Sequence, residues 1–169
     1  MLRCDVLIIG SGLAGLTSAL KLADHKKVLI VSKREILDSS SQWAQGGVAA
    51  VMSNEDSIES HVKDTEFVGG GLTDPKVANF VASHGKEAIE WLHDLQVPFS
   101  LDETTQQFHL TKEGGHSHRR VVHAKDATGR AIQATLSEQV KAHANITILE
   151  NHIAVDLITE KKSLKVNHI

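Results

Sequence analysis

An α/β fold wound around a parallel sheet is predicted by three features of the sequence. The apolar run Cys4–Ile9 leads directly into Gly10-Ser11-Gly12-Leu13-Ala14-Gly15, a G-x-G-x-x-G turn. An amphipathic stretch, Leu16–Ala23, follows the turn, and a second β-branched run, Val28–Val31, follows that. Strand, tight turn, helix and strand make a βαβ unit, whose crossover is expected to be right-handed. Gly10 permits the turn, Gly12 lets the backbone approach a pyrophosphate, and Gly15 lets the helix pack closely on the strand. The free N–H groups and positive dipole end of the helix then hold phosphates. A glycine triplet alone is weak, and an ordinary βα turn is the alternative. With these flanks the segment reads as a Rossmann-like dinucleotide site.

Composition narrows the class. At 169 residues the chain is long enough for one domain with a sizeable core. Its 41% apolar and 23% charged residues are those of a globular protein and argue against disorder. A formal net charge of -3 gives no electrostatic reason to expect nucleic acid. The single cysteine, Cys4, cannot form an internal disulfide and is expected to be a small buried residue of the first strand. Reducing cytoplasm fits that usage. Val6–Leu22 is largely apolar, but its glycines, Ser11, Thr17, Ser18 and Lys21 break it up, so neither a membrane span nor an export signal is read there.

Beyond Val31, the stretch Glu35–Val51 is too long for a simple connection and too apolar for disorder, which makes it functional. Asp56–Phe67 reads as a helix capped by Asp56 and stopped by Gly69-Gly70-Gly71. Asp74-Pro75 opens another, with proline at the first helical position and an apolar stripe of Val77, Phe80, Val81, Ile89, Trp91 and Leu92. Ser100–Lys112 predicts short strands or a hairpin, and Arg120–Ala124 a short strand. Thr128–His143 predicts a helix with Ile132, Leu136 and Val140 four apart on one face, capped by Asp126 or Thr128. Ile146–Leu149 and Ile153–Ile158 read as strands.

Three segments carry chemistry. An acid usually ends the second strand of an NAD site, yet Ser32-Lys33 stands there. Lys33 either faces a phosphate or simply solvates. Ser40-Ser41-Gln42-Trp43-Ala44-Gln45-Gly46-Gly47 offers hydroxyl and amide donors to the acceptor-rich edge of an isoalloxazine ring, and its paired glycines allow close approach. A flexible polar loop is the alternative. Glu113-Gly114-Gly115 precedes His116, His118, Arg119 and Arg120, a cationic cluster suited to a dicarboxylate. Glu113 beside it is an anion for a substrate amino group. A metal site is disfavoured, because adjacent arginines repel a cation and no third ligand stands at the right spacing. A solvated basic turn is the bland alternative.

Taken in order, these segments resemble the L-aspartate oxidases of the fumarate reductase and succinate dehydrogenase flavoprotein superfamily. The resemblance rests on Cys4 to Gly12, Ala44 to Val51, Asp56-Ser57-Ile58, His61-Val62, Asp64-Thr65 and Leu110-Thr111. It continues through Glu113 to Arg120, His123-Ala124, Asp126 to Arg130 and Ala154 to Ile158. The implied fold is α/β: a Rossmann-like FAD-binding domain with a GR2-type βαβ start and an inserted helical and β segment, incomplete at the C-terminus. Residues 1–55 would begin the FAD-binding domain, 56–112 form a mainly helical segment packed on it, and 113–169 carry the substrate-site motif and the domain's continuation.

The implied activity is FAD-dependent oxidation of L-aspartate to iminoaspartate, the first step of quinolinate and NAD synthesis. Oxygen or fumarate would reoxidise the flavin, and the product would be handed over to quinolinate synthase. By motif, Gly10, Ser11, Gly12, Leu13, Ala14 and Gly15 would meet the pyrophosphate. Lys33, Ser40, Ser41, Gln42, Trp43, Ala44, Gln45, Gly46, Gly47, Ile153 and Ala154 would line the rest of FAD. Glu113 would orient the substrate amine, with His116, His118, Arg119 and Arg120 serving site electrostatics or architecture. Respiratory relatives attach flavin through a histidine in R-S-H-x-x-A-A-x-G-G. Aligned on Gly46-Gly47, that position is Ser40, and serine cannot make the bond, so the FAD is expected to be non-covalent. Family members are much longer, so the catalytic base is expected beyond Ile169, and this segment alone to be inactive. A soluble fumarate reductase-like flavoprotein and a non-catalytic nucleotide-binding fragment are the competing readings.

Overall fold

The computed structural model describes residues 2–125 and 127–157. Its first sheet is built from β1 (Val6–Ile9), β2 (Val28–Val31) and β6 (Ile146–Leu149), all parallel, in the order β1-β2-β6. Each strand is a short β-branched or leucine-rich run, as the sequence predicts. Helix α1 (Leu13–Ala23) connects β1 to β2, and α4 (Thr128–Ala142) precedes β6 and packs beside α1. Leu16, Ala19 and Ala23 of α1 are buried with Ile132, Leu136 and Val140 of α4 in one core with Val28 and Ile30. Fully burying each of these leucine, isoleucine and valine side chains contributes roughly 1.5–3 kcal/mol.

A second, antiparallel sheet joins β3 (Val48–Ala49), β5 (Val121–Val122) and β4 (Leu110–Thr111) in the order β3-β5-β4. The bridge Leu101–Phe108 precedes β4, which matches the predicted short strands of this segment. Helices α2 (Ile58–Val68) and α3 (Pro75–Asp94) pack on each other. Ile89 of α3 enters the same core as the first sheet, with Val97, Phe99 and Val122. No helix among the described residues is long and apolar enough to cross a membrane.

Several expectations need correction. Cys4 is exposed and precedes β1, because the chain enters the sheet only after Asp5 accepts a hydrogen bond from the Lys27 N–H at 2.7 Å. The cap of α2 is Ser57, whose Oγ accepts from the Ser60 N–H, while Asp56 is engaged elsewhere. Asp74 does cap α3, accepting from the N–H groups of Lys76 and Val77. The stripe on α3 is only half used: Ile89 is buried, but Val77, Phe80 and Val81 are exposed. Ala127 stands at the α4 N-cap without a side-chain bond, and Thr128 Oγ1 instead accepts from the Ala124 N–H at 3.0 Å. Asp126, the other predicted cap, lies outside the described residues. Residues 153–157 form no strand, having no ladder partner among the described residues, and Ile158 lies outside them.

Candidate functional site

At the C-terminal edge of the parallel sheet the chain turns through Gly10, whose φ of 110° suits glycine. A side chain at Gly15 would overlap the Gly10 carbonyl and press on Ile8, so α1 can sit this close to β1 only because glycine stands there. Gly12 is the N-cap of α1 in extended conformation. It makes no side-chain cap bond, and the first turn holds no acid. Helical bonding starts with Leu16 N–H to the Gly12 carbonyl at 3.0 Å, so the preceding amides are available to an anion. The buried Ser11 Oγ lies 2.8 Å from Ser32 Oγ, which ties the turn to the end of β2.

An open groove of about 400 Å³ runs from Gly10, Ser11 and Gly12 past Ser32, Lys33 and Arg34 to Asp38, Ser39, Ser40 and Trp43. Ser40–Trp43 is a short 3-10 turn, and Trp43, 69% exposed, presents its ring at the rim. His152 N–H donates to the Ser32 carbonyl at 2.9 Å, which starts the exposed segment of Ile153 and Ala154 beside the same edge. Uncapped amides, a glycine turn with no side chain in the way, and a hydroxyl-lined groove fit the phosphates and sugars of a dinucleotide. Gly46 and Gly47 behave differently from each other. A side chain at Gly47 would overlap β5, whereas one at Gly46 would lie 3.8 Å from Glu113 Oε2. Glu113 is therefore poised over the Gly46 turn.

The block after Glu113 does not form one cluster. Arg120 is fully buried. Its Nε and Nη2 donate to Asp56 at 2.8 and 2.7 Å, Nη1 donates to Asp64 at 2.7 Å, and Nη2 donates to Ser60 Oγ at 3.1 Å. That guanidinium locks β5 to α2 and leaves no charge for a ligand. His118 joins the same network, its Nδ1 3.1 Å from Ser60 Oγ and 3.5 Å from Asp56. His116 packs edge-on against His61 of α2, ring centroids 5.8 Å apart. Arg119 points elsewhere, donating to the Leu110 carbonyl at 3.3 Å from an exposed position. With His118, Lys112 and His109 it lines an open cleft of about 790 Å³ that does not include Glu113.

Electrostatics follow from this packing. Burial opposes the charge on Asp56, but the Arg120 guanidinium and the Ser57 N–H overcome it and hold the carboxyl below its ordinary range. Burial likewise opposes Asp64, and the N–H and hydroxyl of Ser117 with Arg120 lower it in turn. Burial pushes His61 down, helped by Arg120 and His116 and opposed by the two aspartates. Sequence reasoning missed both acids as partners of Arg120, and it missed Gln133, a fully buried amide on α4. The signal for Gln133 was a polar residue four positions after Gly129, on the stripe that buries Ile132 and Leu136.

Fold and groove define a dinucleotide-binding α/β protein whose phosphate site is a glycine turn at a helix N-terminus. Residues 5–168 match the family described as FAD binding domain; the chain belongs to that family, and FAD is its cofactor. Among curated proteins it is 52% identical over 159 residues to L-aspartate oxidase 1 of Ralstonia nicotianae, covering 94% of this chain and 30% of that one. It is 51% identical over 164 residues to the L-aspartate oxidase of Vibrio cholerae, covering 95% and 31%. An E. coli quinol fumarate reductase superposes with a TM-score of 0.89 at 27% identity, over 95% of this chain and 28% of that one. The chain thus spans about 30% of the length of the curated relatives it matches.

Proposed function

We propose that this chain forms part of the FAD site and one wall of the substrate site of an L-aspartate oxidase, which converts L-aspartate to iminoaspartate. The observation that carries this reading is the identity of 44–52% to enzymes named L-aspartate oxidase, spread over 92–95% of the chain. Bound FAD would supply the two-electron acceptor, with oxygen or fumarate taking the electrons on.

The chain's own residues have definable tasks. The amides preceding Leu16, with Ser11, bind the pyrophosphate, and Lys33 adds a cation beside it. Ser40 to Gly47 line the flavin, and Ser40 leaves it dissociable. The carboxylate of Glu113, beside the Gly46 turn, attracts and orients the ammonium group of the amino acid, a cation that fumarate lacks. His116 and His118 shape the site's electrostatics from its α2 side. Arg119 and Arg120 serve architecture. The product would enter quinolinate and NAD synthesis in the cytoplasm, with hand-over to quinolinate synthase.

A soluble fumarate reductase is the second reading, favoured by the 0.89 superposition. Anaerobic mixing of the full-length, FAD-loaded protein with L-aspartate separates the two. Loss of flavin absorbance with ammonia release supports the oxidase. A flavin that aspartate leaves oxidised, but that fumarate reoxidises after chemical reduction, overturns it.

A further inference from the structure

Three backbone segments meet behind the groove, and one buried polar chain joins them. Gln133 Nε2 donates to the Ser11 carbonyl at 2.9 Å and to the Ile36 carbonyl at 2.8 Å. The Ile36 N–H donates to Glu150 Oε1 at 2.6 Å, so Ile36 is held through both of its flanking peptide groups. Gly129, one turn before Gln133, lets α4 approach so closely: its N–H donates to the Ala44 carbonyl at 3.1 Å, and a side chain there would overlap Ser41 and Ala44.

Gln133 is an unfavourable choice if packing alone is at stake. It sits among Ile132, Leu136 and Val140, it is fully buried, and its Oε1 has no hydrogen-bond partner among the described residues. An unmatched buried acceptor costs about 1–3 kcal/mol. An apolar side chain would pack without that penalty, but it would leave both carbonyls unheld.

We propose that Gln133 is a positioning residue for the dinucleotide, fixing which way the amides of the glycine turn and the following loop face. In a trans peptide the C=O and N–H point in opposite directions. Pulling the Ser11 carbonyl inward therefore turns the Gly12 N–H outward, towards the groove that Gly12 lines. The same pull on the Ile36 carbonyl turns the Leu37 N–H away from the core, in the loop that carries Lys33, Arg34 and Asp38. One amide thus sets the phosphate end and the loop after β2 at a fixed separation.

The proposal rests on FAD being the ligand of this groove. Full-length apoprotein is titrated with FAD, reading flavin fluorescence, for the wild type, Q133M, Q133E and S137A. Q133M keeps the bulk and loses both donors; its Kd for FAD rises about tenfold or more when read well below the apoprotein's melting temperature, which itself falls because two buried carbonyls go unheld. Ser137, one turn on, is also buried but hydrogen-bonded to nothing among the described residues, so S137A keeps the wild-type Kd. In Q133E a carboxylate faces two carbonyls. Its Kd relative to wild type is worse than that of Q133M at about pH 8 and recovers at about pH 5.5, where protonation of a buried acid returns one donor. Equal Kd for wild type and Q133M overturns the proposal. If Q133M does not fold, a Q133E-to-wild-type Kd ratio that stays flat with pH overturns it instead. A wild type that binds no FAD overturns the cofactor assignment itself, and a normal wild type beside a defective Q133M separates the two.

Discussion

At Gly12 a helix begins with no side-chain cap and no acid in its first turn, whereas at Arg120 a guanidinium is enclosed by Asp56, Asp64 and Ser60. The first region carries no formal charge, yet it offers donors that nothing among the described residues uses. The second belongs to the histidine- and arginine-rich segment 116–120, and its guanidinium is buried out of a ligand's reach. Anion recognition depends on which donors are unpaired, not on how many cations a segment holds. A fold of this kind can therefore use a backbone turn to meet a phosphate and an arginine to hold itself together.

Arg120→Leu should break the second region outright. It strips the buried Asp56 of its arginine and leaves only His118 at 3.5 Å beside it, which costs about 3–5 kcal/mol, read as a lowered denaturation midpoint. A variant as stable as wild type but unable to bind L-aspartate would place Arg120 in the substrate site and dissolve the contrast. Gly15→Ala should break the first region. Its methyl group overlaps the Gly10 carbonyl, forcing the turn open at a cost of about 1–3 kcal/mol. FAD affinity should fall by more than that stability loss implies, because the displaced amides are the binding groups. Unchanged FAD affinity would show that the phosphates lie elsewhere.

Glu113→Gln sharpens the comparison at the junction of the two regions. The neutral amide keeps the shape and loses the charge that attracts an ammonium group. KM for L-aspartate should rise roughly tenfold, the worth of one charge-assisted hydrogen bond, while KM for fumarate hardly moves. Equal changes for both substrates would remove Glu113 from amine recognition.

Much of the frame is legible in the sequence because it is set by local rules. Val28–Val31 and Ile146–Leu149 are short β-branched or leucine-rich runs between polar residues, and both are strands at those bounds. Asp74-Pro75 starts α3 as its chemistry dictates. What sequence does not carry is pairing across distance. Asp56 stands where a helix cap belongs, and only the fold reveals that Arg120, 64 residues on, claims its carboxylate. Gln133 looks like one more polar helix residue until α4 lies against the glycine turn. Val77, Phe80 and Val81 have helical spacing, which reports a stripe but not whether anything among the described residues covers it. Cys4 is apolar enough for a core, but it precedes the first paired residue.

The smallest expected effect is a two-step acid dependence of stability that belongs to the Arg120 region. His61 is held below the usual 6.5 by burial and by the nearby Arg120 and His116. Its folded pKa is lower than its unfolded one, so its contribution is complete above about pH 6.5 and fades as pH falls through the folded value. Asp56 and Asp64, held below the usual 3.8, contribute fully above about pH 4 and lose that contribution only at lower pH, as they protonate. Denaturation midpoints should therefore decline gently below about pH 6.5 and steeply below about pH 4. His61→Asn should remove the first decline and keep the second, since the arginine and both acids remain. Arg120→Leu should weaken the second, because without the guanidinium the aspartates lose the partner that depresses them. A single transition unaffected by either substitution would mean that acid lability arises outside this network, and the region would then be held by packing rather than by charge.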